Sequence, residues 1–122
     1  MLARTKPREA YREADFDARL MGSSRENLVL FCIEDFIQTL GALEFAEARG
    51  DRAARSRSLT RAITALTALE LGVDRTAPMA DSLLQFYGGA KLLLLDSIRE
   101  VDLPRIAELR QDFRDVAVAF AG

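Results

Sequence analysis

The 122-residue chain contains no histidine and only one cysteine, Cys32. Without histidine it lacks the commonest general base and the commonest transition-metal ligand. A single cysteine can form neither an internal disulfide nor a multi-cysteine zinc site. Cys32 lies in an apolar run, where burial would keep its thiol unreactive, so we interpret it as a core residue. The composition therefore predicts a protein that is not an enzyme and that holds no metal and no cofactor.

Long apolar runs and a strong net charge are also absent. No stretch approaches the roughly 18 apolar residues of a membrane-spanning helix, and the charged N-terminal sequence MLARTKPREAYREADF lacks the apolar segment of a signal peptide. The formal net charge of −2 gives no general attraction for nucleic acid. Five arginines lie between positions 49 and 61, and those of helix 52–71 scatter around a helical wheel, which favours a solvated helix start over a basic binding face. We expect a cytoplasmic protein without nucleic-acid binding or membrane insertion.

Proline and glycine are scarce, and they mark the ends of predicted helices. Gly50 and Asp51 separate two apolar segments; Asp51 is predicted to cap the second, and so short a link predicts an antiparallel pair. Asp102 is predicted to cap the last segment, and Pro78 and Pro104 suit first helical turns. These signals predict helices at about 7–19, 24–49, 52–71, 77–100 and 103–120. The expected fold is all-α: a single helical-bundle domain over residues 1–122, an antiparallel up-and-down four-helix bundle with a short extra N-terminal helix.

Two of these helices, 24–49 and 77–100, carry apolar residues on more than one face. A helical wheel predicts core stripes that comprise Val29, Ile33, Phe36, Leu40 and Leu43 in helix 24–49; Met79, Leu83, Phe86, Tyr87, Ala90, Leu94, Ile98 and Val101 in helix 77–100; and Ile106, Leu109, Phe113, Val116 and Phe120 in helix 103–120. The faces away from these stripes carry Phe31, Gln38 and Phe45 in helix 24–49, and Gly88, Gly89, Leu92 and Leu95 in helix 77–100.

The two glycines within LLQFYGGAKLLLLD, residues 83–96, are unexpected in a helix interior. Each is roughly 1 kcal/mol less favourable there than alanine. The missing side chains would open a shallow groove, lined by Leu92 and Leu95, in which another backbone could come close. A helix buried on both sides would show the same pattern, and the pattern alone leaves both interpretations open.

Several short motifs occur along nearly the whole chain in a fixed order. They are Ala10-Tyr11, Ser24 followed by Leu28-Val29, Gly50-Asp51, LTRAI at residues 59–63, Phe86-Tyr87 and Asp102. Their order and spacing resemble those of the FliS family of flagellin export chaperones. The chain departs from the family pattern where Arg25 replaces a proline and where Gly88 and Gly89 follow Tyr87 in place of a Tyr-x-Tyr motif.

The resemblance implies a cytoplasmic chaperone that binds the C-terminal helical segment of flagellin, prevents premature polymerisation and keeps flagellin ready for export. It also implies that Tyr11 belongs to an N-terminal segment covering part of the binding surface. Together with the wheel, it predicts a partner-binding set of Tyr11, Phe31, Gln38, Phe45, Gly88, Gly89, Leu92 and Leu95. Two alternatives stay open: a helical bundle for a different secretion client, and a structural homodimer whose exposed apolar faces pack on each other. The chain is accordingly expected to be a monomer or a homodimer.

Overall fold

The computed structural model describes residues 25–121, and these residues form four α-helices and no strand. The helices are α1 (Arg25–Arg49), α2 (Arg52–Leu71), α3 (Ala80–Asp96) and α4 (Leu103–Ala121). The prediction of an all-α chain is confirmed for this part of the sequence. The predicted helix at 7–19 and Tyr11 lie outside the described residues.

Local backbone geometry fixes two helix junctions at the residues that the sequence indicates. Gly50 ends α1 with a left-handed φ of 68°, a conformation that favours glycine. Asp51 caps α2, because its Oδ1 accepts a hydrogen bond from the Ala54 N–H at 3.0 Å. Asp102 caps α4 in the same way and accepts from the Arg105 N–H at 3.2 Å. Both predicted aspartate caps are therefore confirmed.

Helix α3 is shorter at both ends than the predicted span of 77–100. Before it, the Asp74 carboxylate accepts hydrogen bonds from the Thr76 N–H at 3.0 Å and the Thr76 hydroxyl at 2.6 Å, which holds a turn. Pro78 lies in this connection instead of the first helical turn. After α3, the Ile98 N–H donates at 3.2 Å to a carbonyl only three residues earlier, as in a tighter turn. Met79 and Ile98 therefore lie outside the helix and are exposed, and their predicted place in the core stripe is wrong.

The core draws on all four helices. Its fully buried apolar side chains include Ile33, Phe36, Leu40 and Leu43 of α1, Leu66 of α2, Tyr87 and Leu94 of α3, and Ile106 and Phe113 of α4. At its centre the Phe113 ring centroid lies 4.5 Å from that of Phe36 and 4.7 Å from that of Phe86. Such tilted aromatic pairs add to the stability gained from burial alone. This cluster joins α1, α3 and α4.

The helices differ in how closely they pack. Helix α1 packs closely on α2 and on α4, and α2 packs closely on α3. Ion pairs join the same neighbours: Asp35–Arg61 at 2.7 Å, Glu47–Arg55 at 3.5 Å, Glu70–Lys91 at 3.1 Å and Glu44–Arg110 at 3.0 Å. Pairs with this much solvent exposure contribute little stability individually, so the apolar core carries most of it. Helices α1 and α3 are not among the closely packed pairs, and neither are α3 and α4.

Candidate functional site

The outer side of α3 presents an apolar surface with little side-chain cover, which we call the glycine–leucine face: Gly88, Gly89, Leu92 and Leu95. The Leu92 side chain is 65% exposed and the Leu95 side chain 44% exposed. A methyl group added at either glycine would have no heavy atom of the chain within 4 Å, apart from the helix backbone and its immediate neighbours. The helix backbone is therefore open here to a close approach from outside.

A groove runs beside this face, between α3 and α4, with a volume of about 280 Å³. Gly89 belongs to both the face and the groove. The apolar residues that line the groove are Phe86, Ala90 and Leu93 of α3 and Leu109 of α4, and its polar residues are Gln85, Arg105, Glu108 and Asp112. Its lining therefore combines apolar and polar side chains in similar shares, as protein-binding surfaces commonly do. We call this the α3–α4 groove.

The contribution of α4 to this groove was missed by the helical-wheel reasoning. Arg105, Glu108 and Asp112 are exposed residues on the polar side of an amphipathic helix. A wheel separates polar from apolar faces, but it does not show which polar residues stand beside a neighbouring helix. The spacing of Glu108 and Asp112, four residues apart, places both on one side of α4 and was the available signal.

The predicted residues of α1 lie elsewhere. Phe31 is half-buried, Gln38 is exposed, and Phe45 is 63% exposed. The guanidinium carbon of Arg49 lies 5.1 Å from the centre of the Phe45 ring, within cation–π range. All three belong to α1, which does not pack closely on α3, the helix that carries the glycine–leucine face. Tyr11, the eighth predicted residue, lies outside the described residues.

Phe45 instead lines a second and wider groove, between α1 and α4, with a volume of about 550 Å³. The Glu44–Arg110 ion pair, with its Oε1 and Nε 3.0 Å apart, lies in this groove and joins the two helices. Gly41 allows the approach, because a methyl group there would come within 3.2 Å of Arg110 Nη1. This glycine therefore serves packing inside the fold.

The described residues offer no clear chemistry for catalysis. Cys32 is half-buried, and burial, with a smaller contribution from the charge of Asp35, raises the pKa of its thiol. A raised pKa keeps the thiol protonated and weakly nucleophilic. Among residues 25–121, no three His, Cys, Asp or Glu side chains are grouped closely enough to hold a metal ion. No helix within that range is long and apolar enough to cross a membrane.

Comparison with known proteins identifies the family of this chain. The family model described as "Flagellar protein FliS" matches residues 7–122, which is nearly the whole chain. No curated protein and no solved structure matches the chain. Because the family match spans the four described helices and the sequence before them, the chain belongs to the FliS family of flagellar chaperones.

Proposed function

We propose that this chain is a cytoplasmic chaperone that binds the C-terminal helical segment of flagellin, prevents its premature polymerisation and keeps it competent for export. Membership of a flagellar chaperone family that is not enzymatic supports this role. The observation that carries the choice of binding surface is the exposed glycine–leucine face of α3 beside the α3–α4 groove. We propose that the apolar side of the flagellin segment packs there.

The chemistry of this surface suits an amphipathic helix. Leu92 and Leu95 provide exposed apolar contacts, and the two glycines let the partner backbone approach α3 closely. Arg105, Glu108 and Asp112 line the groove and offer charges of both signs to the polar side of the partner. A segment that becomes ordered only on binding loses conformational entropy, so its affinity would be lower than the buried area alone suggests.

We further infer an up-and-down antiparallel connectivity for the four helices. Contacts between α1 and α2 join Glu47 to Arg55, Asp35 to Arg61 and Arg25 to the Gly72 carbonyl. Contacts between α1 and α4 join Glu44 to Arg110 and Phe36 to Phe113. In both sets, residue numbers fall along one helix as they rise along the other, as expected for antiparallel neighbours. These contacts support the antiparallel pairing of α1 with α2 and of α1 with α4, as the predicted bundle requires.

Calorimetric titration of the full-length chain with a peptide of the flagellin C-terminal helical segment, from the same organism, tests the function. We expect one-to-one binding with a negative heat-capacity change, because apolar surface is removed from water. A folded chain that binds no such peptide would contradict the proposal and favour a different helical client. A peptide that binds equally well when the glycine–leucine face is changed would contradict the choice of surface but not the function.

A further inference from the structure

Helix α3 has one close neighbour among the described helices, α2. Non-helical connections, residues 72–79 and 97–102, join it to α2 and α4. The α3–α4 groove opens along another side of the helix, so there is free space into which α3 could turn. The direction in which the glycine–leucine face points therefore depends on how α3 is held against α2.

The contacts that anchor α3 are interrupted at its two glycines. Before them, the Phe86 ring packs on Phe113 with 4.7 Å between the ring centroids. A methyl group at Gly88 or Gly89 would meet no heavy atom of another helix within 4 Å, so these positions add no anchoring contact. The aromatic contact therefore does not by itself fix the second half of α3, residues 90–96, which carries the exposed leucines of the binding face.

A polar side-chain contact joins this second half to the neighbouring helix. Lys91 Nζ donates to Glu70 Oε1 of α2 at 3.1 Å, and both side chains are partly buried. None of the other ion pairs among residues 25–121 involves α3. Leu94 also anchors this half because it is wholly buried, but apolar burial is non-directional, whereas a hydrogen bond requires its donor and acceptor to be aligned. The Glu70–Lys91 ion pair is therefore the contact that can fix the rotation of this half about its axis.

Lys91 lies on the side of α3 that faces away from the groove. Successive residues of an α-helix are about 100° apart around its axis, which places Lys91 about 160° from both Gly89 and Leu93. Gly89 and Leu93 line the α3–α4 groove, whereas Lys91 does not. Rotation of α3 about its axis would move Lys91 away from Glu70 and change the direction in which Leu92 points. The ion pair therefore opposes this rotation.

We propose that Glu70 and Lys91 are positioning residues for client binding: their ion pair holds α3 in the rotation that points Leu92 and Leu95 outward to the flagellin segment. This role rests on the proposed function, and neither residue has to touch the segment itself. A partly exposed ion pair contributes little to the free energy of unfolding. The same small energy is enough to favour one rotation of the helix over another that binds the client less well.

A double-mutant cycle in the full-length chain, with titration of the flagellin C-terminal peptide as the assay, tests this role. We expect Glu70→Gln, Lys91→Met and the double variant each to raise the peptide dissociation constant by about two- to fivefold. The double variant should bind no more weakly than the single variants, because the same contact is missing in all three. Binding that weakens in Lys91→Met but not in Glu70→Gln would mean that Lys91 contacts the peptide itself, and would overturn the positioning role. Unchanged affinity in all three variants would also overturn it.

Hydrogen exchange of the chain without peptide gives a second measurement. Backbone amides of residues 90–96 should exchange about two- to fivefold faster in the three variants, because loss of the ion pair lets this half of α3 open more often. A wild-type chain that binds no peptide would contradict the proposed function. The exchange rates of residues 90–96 would then decide the positioning role alone, and unchanged rates would overturn it.

Arg61→Met is the matched control, because it makes the same kind of change in an ion pair that does not involve α3. It breaks the contact of Arg61 with Asp35, which joins α1 to α2 at 2.7 Å. The control should leave both the peptide affinity and the exchange of residues 90–96 at their wild-type values. An equal effect of Arg61→Met would overturn the positioning role, since loss of any ion pair would then be enough.

Discussion

Substitution of Leu92 by glutamate separates a binding role from a core role. Leu92 is 65% exposed, so about a third of its side chain is buried. Full burial of a leucine side chain contributes about 1.5–3 kcal/mol, which makes the loss here about 0.5–1 kcal/mol. Glutamate and leucine have similar helix propensities, so the helix itself should change little. We expect Leu92→Glu to lower the melting temperature by only about 2–4 °C.

The effect on binding should be much larger than the effect on stability. A carboxylate at position 92 would have to lose water against the apolar side of the flagellin segment, or remain exposed and prevent contact. We expect peptide affinity to fall by about a hundredfold or more. Leu94→Ala provides the opposite case, because Leu94 is wholly buried and its truncation should reduce stability by about 2–5 kcal/mol.

Urea unfolding and peptide titration of the same preparations give the two measurements. Leu71→Glu serves as control for adding a carboxylate at an exposed leucine, since Leu71 is 81% exposed at the end of α2. This control should bind the peptide like the wild type. The reasoning would be refuted if Leu92→Glu destabilised the chain as much as Leu94→Ala, because Leu92 would then belong to the core. It would also be refuted if Leu92→Glu and Leu71→Glu bound equally well.

Three further predictions concern the fold itself. Gly88→Ala should stabilise the chain by about 1 kcal/mol in thermal unfolding, because the added methyl group meets only open space within the fold. It should also weaken peptide binding, because the methyl group fills space that the partner backbone would occupy. A lower melting temperature would show that the glycine conformation is needed. Asp51→Ala should reduce stability in urea by about 1 kcal/mol, since the Ala54 N–H loses its partner, and no change would mean that water replaces the cap. Because burial raises the pKa of Cys32, its alkylation at neutral pH should be slow in the folded chain and fast in urea; equal rates would contradict its burial.

The helix ends could be predicted where the signals are local. Asp51 and Asp102 each accept a hydrogen bond from the N–H of the residue three positions later. An aspartate just before an apolar helical segment is a signal that the sequence alone shows. The ends of α3 could not be predicted in this way. They depend on the turn held by Asp74 and Thr76, where a side chain competes with helical hydrogen bonding, and on a tighter turn after Asp96.

Helical periodicity predicts which side of a helix is buried, but not how far along the helix the burial extends. In α4, Phe113 is fully buried and Val116 is half-buried, while Phe120 in the last turn is 38% exposed, although all three lie on one predicted stripe. The same limit applies to the binding surface. The sequence predicts the outward position of Leu92, but the α3–α4 groove depends on how the bundle places α3 beside α4, which no local signal specifies.

The glycines of the described chain divide into those with a role inside the fold and those without one. Gly50 needs its left-handed φ to end α1, and Gly41 makes room for Arg110. Neither reason explains the glycines at positions 88 and 89, since their φ angles are not positive and the space around them is open. Together they make α3 roughly 2 kcal/mol less stable than alanines would. Within residues 25–121, nothing in the packing requires glycine at these two positions. We therefore infer that the two glycines allow a partner to approach the helix closely from outside the bundle.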